Sequence, residues 1–172
     1  MRRLFSVLLF FVCLVHAQDL SNRRAPGFSL PDSNLQQYDP QDYRGKVLLV
    51  EFMQTSCAHC QEFSKILEQV PARYGNKVAV LSIVNPPDTQ TSVLRYIAER
   101  KVLAPILFDC GQVAASYVKA GPQNSTITIP HIFVIDAQGV IRSDFSYGPL
   151  TRGIFEGEDL FALLDNMLRP KR

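Results

Sequence analysis

The chain has 172 residues, 47% of them hydrophobic and 20% charged, with four cysteines and no tryptophan. That length and balance fit one globular domain around one core and exclude a disordered or fibrous chain. The formal net charge is only +2; with Arg2 and Arg3 set aside, the remaining basic and acidic residues are equal in number, which leaves no electrostatic footprint for a nucleic acid.

At the start of the chain, Arg2 and Arg3 precede an apolar run from Leu4 to Val15, which ends in Val15-His16-Ala17. This is the layout of a secretory signal peptide over residues 1–17, with cleavage expected after Ala17. Residues 18–172 would then be exported as a single domain, to a periplasm or to the medium. The apolar run is short for a membrane span, and an uncleaved anchor is the alternative; only then does the chain contact a membrane. Cys13 follows Phe10-Phe11-Val12 rather than small residues, so it is no lipid-attachment site. Cys57, Cys60 and Cys110 remain, and an odd count argues against a purely stapling disulfide framework.

Residues 18–26 are polar, and 25–32 read as an irregular arm with one short extended stretch lying against the body. Residues 47–53 form a continuous apolar run broken only by Glu51, which predicts a strand buried on both faces. Phe63, Ile66, Leu67 and Val70 recur at helical spacing, so residues 58–74 are expected to form one amphipathic helix ended by Gly75-Asn76. A strand over 78–84 follows.

Asn85-Pro86-Pro87-Asp88 breaks the chain, and Asp88 or Thr89 can cap a helix running to about Lys101, with Val93, Leu94, Ile97 and Ala98 on one face. Residues 106–108 are a short extended piece. Residues 110–120 read as a short helix ended by Gly121-Pro122, and a polar stretch leads to Ile129-Pro130. Strands over 132–135 and 140–147 form a hairpin across Asp136-Ala137-Gln138-Gly139, and a last amphipathic helix covers 156–168. This order implies an α/β fold, with a parallel pair joined by a crossover, an antiparallel edge, and helices on both faces of a central mixed sheet.

The chemistry concentrates in Cys57-Ala58-His59-Cys60. Its place between a buried strand and a helix puts unpaired N–H groups and the helix dipole at Cys57, which favours a thiolate and marks Cys57 as the nucleophile. Cys60, one turn later and more buried, is the thiol that would attack a mixed disulfide on Cys57. His59 either tunes the couple, a partly positive imidazole stabilising the reduced form and moving it toward oxidising potentials, or is a solvent-facing residue with no such role. A lone Cys-x-x-Cys is half a zinc site, and no second pair at comparable spacing exists here. The alternative from another class is a copper or zinc carrier that uses the same cysteines with His59 or His131.

These residues carry a family resemblance. Val47-Leu48-Leu49-Val50-Glu51-Phe52, the Cys-x-x-Cys six residues after Glu51, and Ile129-Pro130 before a strand together resemble the thioredoxin superfamily. The Ala25-Pro26-x-Phe28-x-Leu30 arm, Gly45-Lys46-Val47, the extra helical segment before the proline and Ile135-Asp136-x-x-Gly139 are similar to exported TlpA and ResA-like disulfide oxidoreductases with an AhpC/TSA-type redoxin domain, over about residues 25–168. The resemblance implies a three-layer thioredoxin-like fold with an N-terminal extension and a cis-proline loop at Ile129 and Pro130 that faces the motif and pairs with substrate backbone. It also implies thiol-disulfide exchange with protein thiols and a redox partner protein, and no dissociable cofactor.

At the position of Glu51 thioredoxins carry a buried acid behind the second cysteine, so Glu51 is expected to have a raised pKa and to relay a proton with Cys60. The other reading of Glu51 is an acid at a strand end that reaches water or Lys46. Two departures stand out: Ser56 replaces the tryptophan common before the first cysteine, and Cys-Ala-His-Cys resembles the Cys-x-His-Cys of DsbA-type oxidants, so reductase and oxidase directions both stay open. Peroxiredoxins place a proline and a threonine seven and three residues before their reactive cysteine, where this chain has Val50 and Gln54, which disfavours peroxidase chemistry. Cys110 reads as a third thiol at the start of a short helix or as a small buried apolar residue.

Overall fold

A computed structural model describes residues 20–121 and 126–170. The expected signal segment, residues 1–17, lies outside the described residues, and no helix among the described ones is long and apolar enough to cross a membrane.

The centre of the fold is β4 (Val47–Met53), in which every residue is buried, as a continuous apolar run demands. On one side it pairs in parallel with β5 (Val78–Val84), which pairs in parallel with β6 (Ile106–Phe108). On the other it runs antiparallel to β7 (His131–Ile135), which forms a hairpin with β8 (Val140–Ser146). Asp136 shapes the hairpin turn, its Oδ1 accepting from the backbone N–H of Gln138 and Val140, both at 2.9 Å. The N-terminal arm supplies β1 (Arg23–Arg24), the edge strand beyond β8, so the arm enters the main sheet rather than merely resting on it. It also carries a small hairpin of β2 (Leu30–Pro31) and β3 (Gln37–Tyr38).

Side chains alternate across the sheet. Leu48, Val50 and Phe52 join Leu81, Ile83, Phe133 and Tyr117 on one face. That face is covered by α4 (Gln112–Tyr117) together with the buried Leu20, Ala25 and Phe28 of the arm. Phe52, Tyr117 and Phe133 meet edge to face at 5.0 to 5.9 Å, and each such ring, fully buried, contributes roughly 1.5–3 kcal/mol. On the opposite face Val47 and Leu49 pack on α1 (Ala58–Leu67), α2 (Val70–Tyr74), α5 (Arg152–Glu156) and α6 (Glu158–Met167). Val93 and Tyr96 of α3 (Gln90–Arg100) cluster with Met53, Cys60 and Val84 on that same face. Helices therefore lie on both faces, very unequally.

Three expectations need correction, and one short helix went unread. The helix over 58–74 is two, because Pro71 has no N–H to give and its ring would clash with the carbonyl one turn back. The last helix, expected over 156–168, is α6 at Glu158–Met167; the short α5 before it, set off by Gly157 in the left-handed region at φ 99°, was not expected. Helix α4 begins only at Gln112, with Gly111 as its N-cap, so Cys110 precedes it. The inward face of α3 is Val93, Tyr96 and the half-buried Ile97; Leu94 is 47% exposed and Ala98 points outward.

Candidate active site

The loop from β4 to α1 presents the cysteine motif, and α3 braces it. Asp88 accepts from the Thr55 backbone N–H at 2.9 Å and from the Thr55 hydroxyl, and Ser92 Oγ donates to it at 2.8 Å. Gln61 Nε2 of α1 returns to the Thr55 carbonyl at 2.8 Å. Thr89, rather than Asp88, caps α3 in a reciprocal box with Ser92.

Cys57 is the N-cap of α1, and its Sγ accepts from the Cys60 N–H at 3.2 Å. The sulfur thus sits where the unpaired N–H groups of a ten-residue helix and its dipole stabilise negative charge. Cys57 is partly exposed and Cys60 completely buried; the two are joined as a disulfide with Cα atoms 5.2 Å apart. The asymmetry lets an outside thiol or disulfide reach only Cys57.

Glu51 is on the sheet face that α1 covers, the face on which Cys60 also packs, with no solvent exposure. The in-register parallel pairing of β4 with β5 sets it beside Ser82, whose Oγ donates to Oε2 at 2.8 Å. Oε1 has no partner among the described residues. Burial pushes the Glu51 carboxyl up to about 7, and the Ser82 hydroxyl opposes this only in part. The alternative placement beside Lys46 or water is overturned, since Lys46 Nζ donates to Asn76 Oδ1 at 2.7 Å.

The Ile129-Pro130 bond is cis, as expected. Ile129 packs against the cluster of Met53, Cys60 and Val84 that Cys57 also touches, which brings the proline loop to the motif. The Tyr147 backbone N–H donates to the Pro130 carbonyl at 3.0 Å. The Tyr147 ring then stacks on His59 at 4.0 Å with an interplanar angle of 22°, and Phe155 backs it edge-on at 5.4 Å. His59 is exposed to solvent on its other side.

His131 does not converge with the cysteines. It pairs across the sheet with Phe52 and stacks on Phe133 at 4.6 Å, so it lies on the α4 face, opposite Glu51 and Cys60. Its Nε2 lies 3.3 Å from Asp144 Oδ2, an ion-pair distance without hydrogen-bond alignment. Among the described residues no group of three His, Cys, Asp or Glu is placed to share a metal ion. Cys110 is free and exposed, not a buried apolar residue.

Ser82, Tyr147 and the Ser64–Tyr96 hydroxyl pair escaped the sequence reading, which gave Asp88 only as a candidate cap and not as the partner of Thr55. Ser82 alone had a local signal: it is the fifth residue of a seven-residue apolar strand, as Glu51 is of its own.

Comparison with known proteins places these features. The model of the AhpC/TSA family matches residues 21–144. Thioredoxin-like protein YneN of Bacillus subtilis is 26% identical over 132 residues, 76% of this chain and 73% of its own length. Thiol-disulfide oxidoreductase ResA of Bacillus anthracis is 22% identical over 135 residues, covering 78% of this chain and 74% of its own. Among solved structures, the thioredoxin domain of a thiol-disulfide oxidoreductase from Bacteroides vulgatus superposes with a TM-score of 0.68 over 87% of this chain and 98% of that one, at 19% identity. The expected thioredoxin-like fold is therefore the observed one.

Proposed function

The chain belongs to the AhpC/TSA family, and from that premise we propose that it is a thiol-disulfide oxidoreductase that exchanges disulfides with protein thiols through Cys57 and Cys60. The observation that carries this reading is the disulfide between a partly exposed helix-capping Cys57 and a fully buried Cys60. Relatives named as thiol-disulfide oxidoreductases support it. Val50 and Gln54, in place of a peroxidatic proline and threonine, favour disulfide exchange over peroxide reduction within the family.

In this reading the Cys57 thiolate attacks a client disulfide and forms a mixed disulfide. Cys60 gives its proton to Glu51, attacks Cys57 Sγ and expels the client thiolate. Because Ser82 donates to Oε2, Oε1 is the oxygen that takes the proton. Ile129 and Pro130 hold the client backbone beside the motif, and the same steps reversed oxidise a client dithiol. The client is an exported protein if Ala17 is the cleavage site, and an N-terminus at Gln18 on protein recovered outside the cytoplasm tests that.

The decisive experiment is covalent trapping. Cys60→Ser, incubated with disulfide-bonded insulin, should accumulate an adduct through Cys57 that dithiothreitol releases, and Cys57→Ser should form none. Adducts that persist in Cys57→Ser, formed through Cys110, would sink the reading.

A further inference from the structure

A cleft opens beside the motif, and the charge on its walls is unbalanced. Arg95, Glu99 and Arg100 of α3 form one wall and Thr55, Ser56 and Gln61 the other, around a space of about 350 Å³. Ser56 directly precedes Cys57 and is small and exposed, so the cleft is open up to the residue beside the nucleophile.

Gln61 ties this cleft to the motif loop. Its Nε2 donates to the Thr55 carbonyl at 2.8 Å, and its Oε1 accepts from Arg100 Nη2 at 2.6 Å. A guanidinium is a rigid fork of donors shaped for a carboxylate, and Arg100 gives only this one bond among the described residues. Arg95 makes no hydrogen bond or ion pair among them. The acids that could neutralise the pair are engaged elsewhere. Lys65 Nζ holds Glu62 at 2.6 and 2.7 Å, Glu68 Oε1 accepts from the backbone N–H of Leu103 and Ala104 at 3.0 and 3.2 Å, and Asp88 takes Thr55 and Ser92. Glu99 is left against two arginines, so the wall is positive in a chain whose overall charge is only +2. A cation in the last turn of a helix also offsets the dipole, which accounts for Arg100 but not for Arg95 in the middle of α3.

We propose that Arg100, assisted by Arg95, is a specificity-determining residue of the exchange: it receives a carboxylate that the client carries within two residues of the cysteine that joins Cys57. The preferred clients are therefore disulfides flanked by Asp or Glu. The proposal rests on the reading of Cys57 as the nucleophile of disulfide exchange, and it adds no bond to that reaction. It adds a hold on the client, made while the two sulfurs meet.

The test uses the full chain, reduced, with Cys110→Ser in every protein so that only the Cys57/Cys60 pair reacts. The probes are the disulfide-linked dimers of three blocked pentapeptides that differ only in the residues flanking the cysteine: glutamate, glutamine or lysine. Second-order rate constants for their reduction should run about five-fold in favour of the glutamate peptide over the glutamine one, with the lysine peptide slowest, and added salt should flatten the series. Arg100→Gln should bring the glutamate rate down toward the glutamine rate and leave the glutamine rate unchanged. Arg100→Lys, which keeps the charge without the fork, should retain part of the preference. Equal wild-type rates for the three peptides overturn the proposal, as does an equal fall in all three rates in Arg100→Gln, which is loss of the brace to Gln61. A glutamate preference that survives in the Arg95→Gln/Arg100→Gln double variant overturns it too. If the wild type does not reduce even the glutamine peptide, the exchange reading falls first and this inference with it.

Discussion

Ser82 Oγ and Glu51 Oε2 lie 2.8 Å apart in the dry space under α1, and the other carboxyl oxygen, Oε1, has no partner among the described residues. One hydrogen bond is a small return for removing a carboxylate from water, which is why Glu51 holds its proton up to about 7.

That displacement makes folding stability depend on pH with a definite sign. The folded chain keeps the Glu51 proton above the ordinary value of 4.5, so between there and about 7 it binds more protons than the unfolded chain. The contribution is complete below pH 4.5 and is lost as pH rises through 7, a fall of about 3 kcal/mol. Glu51→Gln should remove that slope: near wild-type stability at pH 4 and greater stability than wild type at pH 8, read from denaturant midpoints at the two pH values. Equal slopes in the two proteins would mean that Glu51 does not titrate in this window.

His59 and Tyr147 give a redox prediction. The imidazole is held against the Tyr147 ring at 4.0 Å, so its position beside the motif depends on that stack. If the imidazole stabilises the reduced pair, His59→Ala should lower the midpoint potential of Cys57/Cys60 by roughly 30 mV, equivalent to about 1.4 kcal/mol for two electrons. Tyr147→Ala should shift it the same way by less, and the double variant should match His59→Ala alone. Strict additivity in glutathione-buffered titrations would show that Tyr147 acts independently of His59.

Asp88 bridges two elements through both of its oxygens, holding Thr55 before the motif and Ser92 in α3. Asp88→Ala leaves the Thr55 N–H without its carboxylate partner, at a cost of roughly 1–3 kcal/mol. Thermal unfolding should register a loss of several degrees. Asp88→Asn, which retains one acceptor oxygen, should recover part of it; no recovery would point to charge rather than geometry.

What is periodic and local was legible from the residues alone. The apolar runs of 47–53 and 78–84 could only be buried strands, the spacing of Phe63, Ile66 and Leu67 only a helix, and the Cys-x-x-Cys at their junction only a capped pair with one cysteine outside and one inside. The merged helix over 58–74 had a local cause that more weight on Pro71 would have caught. Tertiary structure alone decided which polar groups meet. Glu51 finds Ser82 through parallel register, Thr55 finds Asp88 across two elements, and His59 finds Tyr147 from a hairpin far along the chain. It also decided that His131 turns to the sheet face away from Cys60. Such contacts follow from strand register and packing, which join residues dozens of positions apart and leave no period in the sequence.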